Sequence, residues 1–432
     1  MASASLLLAS FLIPHQVSAQ KPDAPSRKAA SAKPAPAAKK AAVRKKPTAP
    51  RAARPQGRTG VLHGPGAEAR LLEIYTLIGS GDSRQALDKA GALVKEIPNF
   101  QLAQLVYGDL LMAQATPVSR VGHVPIKLSQ RAPDRLEQLR LEAERRLHAL
   151  RAQPPANSIP SQFLEIPAST RHAIAVDVSR SRLYLFENSG KGMRLAAHHY
   201  VSIGKSGSAK QVEGDQRTPL GVYYITSRLS PKQLTDFYGV GALPLNYPNE
   251  YDRRMGRTGS GIWLHGVPQD YYARTPLSTD GCVVLANPEL QTLLDKVAPR
   301  TTPVVIADSL NWVSPEAIDV SRQSVQNLME GWRVARSTSD LPRLKSFYSE
   351  QFSSGDMRLP QWQAQLERET KNRRPRQIQL KDLAILAWRD KSDILVVTFG
   401  EVPQGQVSGP VKRQYWGKEN GLWKIFYEGV IG

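Results

Sequence analysis

The 432-residue sequence predicts a multidomain chain: an N-terminal α-helical module, a mostly β domain, and a C-terminal α+β domain. Three observations lead there. The length exceeds one ordinary domain. The apolar spacing changes along the chain, from helical before residue 152, to alternating between 171 and 307, to helices followed by strands from 315 onward. A basic, proline-rich stretch near the N-terminus lacks the large apolar residues that a core requires.

In chain order, the start reads MASASLLLASFLIPHQVSAQK. Leu6 to Ile13 is an apolar run too short to span a bilayer, and Val17 and Ala19 fit a small-residue cleavage site. Residues 1–19 are therefore expected to be a secretory signal peptide, although no Lys or Arg precedes the run. Residues 20–60 are expected to be a disordered basic Ala/Pro/Lys tether. Lys21 to Arg58 holds twelve Lys or Arg against one acid, about half of the formal net charge of +20. Such a segment adheres weakly to anionic envelope polymers. The remainder is only moderately basic, so no nucleic-acid partner is expected.

Residues 66–152 form the helical module. Leu71, Leu72, Tyr75 and Ile78 recur at helical spacing, and a second helix aligns Ala86, Leu87, Ala90, Leu93 and Val94 before Pro98. Ala86, Ala90 and Pro98 resemble the second half of a tetratricopeptide repeat, but one repeat is too little for a solenoid. Helices are also expected over Gln101 to Ala113 and Asp134 to Arg151. Residues 165–310 form the β domain, with strands in HAIAVDVSRSRLYLFEN, AAHHYVSIG, GVYYI, GIWLHG, CVVL and TPVVIAD. Asn287 reads as the N-cap of a helix with Pro288 at its first position. Residues 315–432 begin with an amphipathic helix over Ala317 to Ala335 and end in three or four strands. The order, with its closing Tyr-Trp and Gly-Leu-Trp-Lys-Ile strands, resembles the nuclear-transport-factor-2-like cone. This domain is expected to fold separately; its partner is not specified by the sequence.

Cys282 is the only cysteine, and His265 stands seventeen positions before it. In an exported protein a lone cysteine is an intermolecular bridge, a free reactive thiol, or a buried structural residue. A thiol becomes a good nucleophile as the thiolate, and an imidazole can take its proton and return it to a leaving amine. Gly281 allows backbone N–H groups to turn toward an oxyanion without an intervening Cβ. Cys282 is accordingly expected to be an accessible thiol of low pKa. No metal is expected, since zinc needs three or four ligands and no second cysteine exists. His198 and His199 are explained by packing.

These residues resemble the YkuD-type L,D-transpeptidase family over Arg171 to about Ala307. His265 and Gly266 match its HG; Thr279, Gly281 and Cys282 match its [ST]-x-G-C; Asn287 matches the Asn that follows; and Thr218, Pro219 and Gly221 match its T-P-x-G. The resemblance implies a periplasmic or cell-envelope enzyme of cell-wall biogenesis, without metal or cofactor, whose cysteine forms an acyl-enzyme with peptidoglycan stem peptides. It implies that His265 activates Cys282, that the Gly266 carbonyl orients His265, and that Gly281 and Cys282 N–H groups, with Thr279 alongside, serve the oxyanion turn. Two positions depart from the usual pattern: Asp280 stands where His or Arg is frequent, and Val284 where Arg is usual. Asp280, Arg217, Arg254 and Arg274 are the candidate substrate contacts, with Arg253 and Arg257 as further cations. An L,D-peptidase releasing the acyl group to water and a non-catalytic peptidoglycan-binding scaffold remain alternatives.

Overall fold

The computed structural model of the chain describes residues 66–118, 120–123, 133–371 and 376–431. The expected signal peptide and tether lie outside the described residues. Among the described residues no helix is long and apolar enough to cross a membrane.

The helical module comprises α1 (Ala67–Gly79), α2 (Ser83–Glu96), α3 (Gln101–Met112) and α4 (Pro133–Arg151). The Asp82 carboxylate caps α2 by accepting from the Gln85 N–H at 3.2 Å. The buried stripes are Leu71, Ile74 and Tyr75, then Ala86, Ala90 and Leu93, then Leu102, Ala103, Val106 and Leu110. The core they form is completed by Tyr272 and Ala286 of the β domain, not by a further repeat. A buried ion cluster fastens the module to the β domain. Arg146 of α4 and Arg182 both lie 2.8 Å from the Glu68 carboxylate of α1, and Arg146 also pairs with Glu142 at 2.8 Å. Burial opposes ionisation of Glu68, but the two guanidinium groups outweigh it and hold its carboxyl down at about 2.

The β domain is organised by a five-stranded sheet of order β5-β4-β3-β12-β7. Its strands are β3 (His172–Asp177), β4 (Arg182–Asn188), β5 (Met193–Tyr200), β7 (Gly221–Tyr224) and β12 (Pro303–Ala307). Side chains alternate strictly. Ile174, Val176, Leu183, Leu185, Tyr223, Val304 and Ile306 face a core within the β domain. Ala173, Ala175, Tyr184, Phe186, Val222, Tyr224, Val305 and Ala307 face the other way, into a core shared with the C-terminal domain.

The C-terminal domain packs α7 (Asp319–Thr338), α8 (Leu341–Ser346) and α9 (Leu359–Lys371) against an antiparallel sheet of order β19-β18-β17-β16-β2. Its last four strands are β16 (Ile378–Arg389), β17 (Asp393–Pro403), β18 (Val411–Glu419) and β19 (Leu422–Val430), and its edge is β2 (Phe163–Glu165), a segment that precedes the β domain. Helix α9 went unread in the sequence. Polar contacts reinforce the shared core: the Arg413 guanidinium lies 3.4 Å from the Tyr224 ring centroid, and Arg257 pairs with Asp252 at 3.0 Å and with Asp390.

The sequence led to the expectation of a separately folding C-terminal domain; the structure gives that domain a core shared with the central sheet. The domain covers one whole face of the central sheet and takes a strand from the other side of the β domain. Truncation after Asn311 is expected to abolish the cooperative thermal transition seen by circular dichroism; a truncated chain melting as sharply as the intact one would show independent domains. Phe186→Ala, at the shared core, is expected to lower stability by about 3–5 kcal/mol in denaturant titration.

Candidate active site

Cys282 lies in the turn between β10 (Leu277–Thr279) and β11 (Val283–Val284). Strand β11 runs parallel to β9 (Trp263–His265), with Val283 opposite Leu264 and Val284 opposite His265. Leu264, Val283 and Leu285 point into the core. Alternation therefore turns Trp263, His265 and Cys282 to the opposite face, with the cysteine two residues back along the register from the histidine.

Three polar side chains build the loops around that face. The Thr218 hydroxyl accepts from the Gly204 N–H at 2.9 Å and donates to the Gly281 carbonyl at 3.0 Å. The Thr279 hydroxyl donates to the Cys282 carbonyl at 2.7 Å and accepts from the Gly281 N–H at 3.1 Å. Gly281 adopts φ +126°, and a Cβ there would stand 2.7 Å from the Arg217 carbonyl oxygen, so only glycine fits. Asn287 opens helix α6 (Asn287–Lys296) as its first residue and does not cap it. Its amide instead ties down the histidine loop: Oδ1 accepts from the Val267 N–H at 3.1 Å, and Nδ2 donates to the Val267 carbonyl at 2.9 Å.

His265 is 1% exposed, and its Nδ1 lies 2.7 Å from the Gly266 carbonyl oxygen. A carbonyl only accepts, so Nδ1 carries the proton and Nε2 keeps its lone pair. Burial pushes the imidazole down to about 4, against the raising influence of the Gly266 carbonyl. Tyr238 packs edge-on to the ring at 5.0 Å and Phe237 lies at 5.7 Å. Phe237, 47% exposed, was not singled out from the sequence; it sits in a short turn whose sequence signals only a loop.

The thiol donates to the Gly261 carbonyl at 3.4 Å. Burial pushes its pKa up, against the Trp263 N–H and the Arg274 guanidinium, which favour the thiolate. Burial thus disfavours the charged form of the thiol as it does that of the imidazole, which runs against the low pKa expected of Cys282. The oxyanion expectation is also narrowed. The Gly281 N–H is engaged by Thr279, whereas no described residue engages the Cys282 N–H.

The charged candidates separate. Asp280 pairs with Lys205 at 3.0 Å and accepts from Gln216 at 3.3 Å, with side chains 72% and 50% exposed for Asp280 and Lys205. Its charge is partly countered by Lys205 and screened by solvent. Arg254 does not reach the site: it donates to Gln351 at 2.7 and 3.0 Å and covers the Phe426 ring of the C-terminal domain at 4.7 Å. Arg253 pairs with Glu250, and Arg257 belongs to the Asp252–Asp390 contact. Arg217 turns its guanidinium to the Ser208 carbonyl at 3.0 Å, leaving only its backbone against Gly281. Arg274 lies over the Phe237 ring at 4.5 Å, which in turn lies 5.7 Å from the His265 ring, and its charge favours the thiolate and disfavours the imidazolium. Among the described residues no group of three or more His, Cys, Asp or Glu is arranged to hold a metal ion.

A neutral pair has a measurable signature. Alkylation of Cys282 by iodoacetamide in the free protein is expected to rise with pH up to and beyond the ordinary thiol range, with no plateau between pH 5 and 7. A plateau there would mean a preformed thiolate–imidazolium pair. Thr218→Val, which removes both ties of its hydroxyl, is expected to cost about 1–3 kcal/mol in denaturant titration.

The comparisons with known proteins agree with this layout. The L,D-transpeptidase (YkuD) catalytic domain matches residues 171–306, and the Cds6 C-terminal NTF2-like domain matches residues 324–429. The chain is similar to Bd1075 of Bdellovibrio bacteriovorus, at 30% identity over 63% of this chain and 98% of that one, with a TM-score of 0.54. It is also similar to the helical cell shape determining protein Pgp2 of Campylobacter jejuni, at 21% identity over 62% of this chain and 96% of that one, with a TM-score of 0.48. No curated protein matches it significantly. The chain belongs to the YkuD family of L,D-transpeptidase-domain proteins, and it carries an NTF2-like domain C-terminal to that domain.

Proposed function

We propose that the chain is a cell-envelope acyltransferase that acts on peptidoglycan stem peptides through a thioester on Cys282. The observation that carries this reading is the His265 tautomer. The Gly266 carbonyl at 2.7 Å fixes the proton on Nδ1 and leaves Nε2 free to take another, on the sheet face that Cys282 shares. Neutral partners suit a thiol that ionises only as it attacks.

In this account Cys282 attacks the carbonyl of the amide joining an L-centre to a D-residue, and its proton passes to His265. The Cys282 N–H faces the developing oxyanion. The tetrahedral intermediate collapses to the thioester, His265 gives its proton to the departing amine, and the amino acid leaves. A second nucleophile then attacks the thioester and restores the thiol. An amine from another stem yields a cross-link; water yields a shortened stem.

The outcome with water is the second reading, and the state of Asp280 favours it. With Lys205 3.0 Å away, this carboxylate is not a free anion to gather an acceptor ammonium. The basic tether read in the sequence would hold the enzyme near anionic envelope polymers, and a signal peptide would export it; both belong to this proposal.

Incubation of the protein with purified sacculi, followed by separation of the released muropeptides, tests the function. Loss of stem-peptide carboxy-terminal residues, with or without new cross-links, is expected with the intact protein and absent with Cys282→Ala. His265→Ala is expected to slow turnover about 10²-fold or more, the usual size of a lost general base. Unchanged muropeptides with properly folded protein would favour a non-catalytic scaffold.

A further inference from the structure

Arg274 is half-buried, yet its guanidinium makes no hydrogen bond or ion pair with any described residue; its contact is the Phe237 ring, 4.5 Å away. Four other sequestered arginines differ, and Arg413, which also lies on an aromatic ring, is held by the Thr398 hydroxyl at 3.0 Å. Arg146, Arg182, Arg257 and Arg336 each have a carboxylate within 3.0 Å. A guanidinium presents a planar fork of donors that fits a carboxylate bidentately, and partial burial strengthens such a pair. An unpaired one on the aromatic ring that flanks His265 is matched to an anion that arrives from outside.

The backbone of Arg274 is held from several directions. Its carbonyl accepts from the Tyr200 hydroxyl at 3.0 Å and from the Ser202 hydroxyl at 2.8 Å. Thr275 donates to Gln138 of α4 at 3.1 Å. Tyr272 stacks on Phe100 at 4.5 Å and donates its N–H to the Asn99 carbonyl at 3.2 Å. The helical module thus fixes the loop that carries the cation, while Phe237 supports the guanidinium on the His265 side. The position two after the cysteine, where the family usually has arginine, is Val284, 1% exposed in β11 and unable to meet a ligand.

We propose that Arg274 binds the α-carboxylate of the residue that departs from the scissile amide, and so restricts the enzyme to stem peptides that end in a free carboxyl group at that residue. This rests on the stem-peptide reading above. The chemistry selects this carboxylate over others on the peptide, because it is carried by the α-carbon bonded to the leaving nitrogen. It must therefore lie within a few bonds of the carbonyl that Cys282 attacks. A stem extended beyond that residue, or amidated there, offers no anion to the guanidinium.

The test compares two synthetic tetrapeptide stems with the intact protein, one ending in a carboxylate and one in the corresponding amide. The carboxylate form is expected to be favoured about 10- to 100-fold in kcat/KM, the size of a lost charge-assisted hydrogen-bonded pair. Arg274→Ala is expected to bring the ratio close to one, chiefly by raising KM for the acid, and Arg274→Lys to restore part of it. The thermal midpoint and the circular dichroism spectrum report whether each variant is folded. Equal turnover of acid and amide by the unaltered protein would overturn the role of Arg274 and leave the stem-peptide reading intact. Turnover of neither would count against that reading. The carboxylate claim is then decided by calorimetric binding of both peptides to Cys282→Ala protein, where equal affinity overturns it and tighter binding of the acid, lost on adding Arg274→Ala, supports it.

Discussion

The central sheet of the β domain is apolar on both faces, and the rest of the structure follows from the need to cover each of them. Alternation along β3, β4, β7 and β12 sends one set of side chains to the β domain's own core and the other to the C-terminal domain. A sheet with one wet face would show polar residues on alternate positions. Here Tyr184, Phe186, Val222, Tyr224 and Val305 leave no such face. The C-terminal domain is thus the second layer over the sheet. The chain path says the same: β2 joins the C-terminal sheet before the central sheet begins, and β13 (Trp312–Val313) pairs back with β1 (Ile159–Pro160) after it ends.

With the sheet fixed from behind, the small sheet containing β9 and β11 has a rigid base on the front. The site is assembled there from loops, which need ties of their own. Thr218, Thr279 and Asn287 supply them through hydrogen bonds to backbone groups on neighbouring loops. The same enclosure sets the chemistry. Burial disfavours the charged form of both His265 and Cys282, which in the proposed reaction ties the movement of the proton to the attack. Such a site exposes little reactive thiolate to oxidants.

Local features were legible in the sequence; long-range ones were not. Glycines beside His265 and Cys282, together with the Thr218-Pro219 and Asn287 matches, pointed to one site because each residue type is demanded by backbone geometry in its own turn. Strand alternation in HAIAVD and RLYLFEN was equally plain, but which layer each face would meet was not. Phe163–Glu165 is three residues long and finds its partner, β16, more than two hundred residues later, so no periodicity announces it. Arg254 and Arg274 look alike in the sequence, yet one is taken by Gln351 and Phe426 and the other stands unpaired at the site. The pKa of the thiol depends on burial, which a motif does not report. The Glu68–Arg146–Arg182 cluster joins three distant segments and left no local trace.

The central claim is that a stem peptide passes through a covalent bond to Cys282. Intact-protein mass measurement after rapid acid quench of a reaction with a tetrapeptide stem tests it directly. The account requires a population of chain heavier by the tripeptide less one water, with the added mass on the proteolytic fragment that contains Cys282. Turnover of the stem with no such adduct at any quench time, or an adduct on another residue, would contradict it.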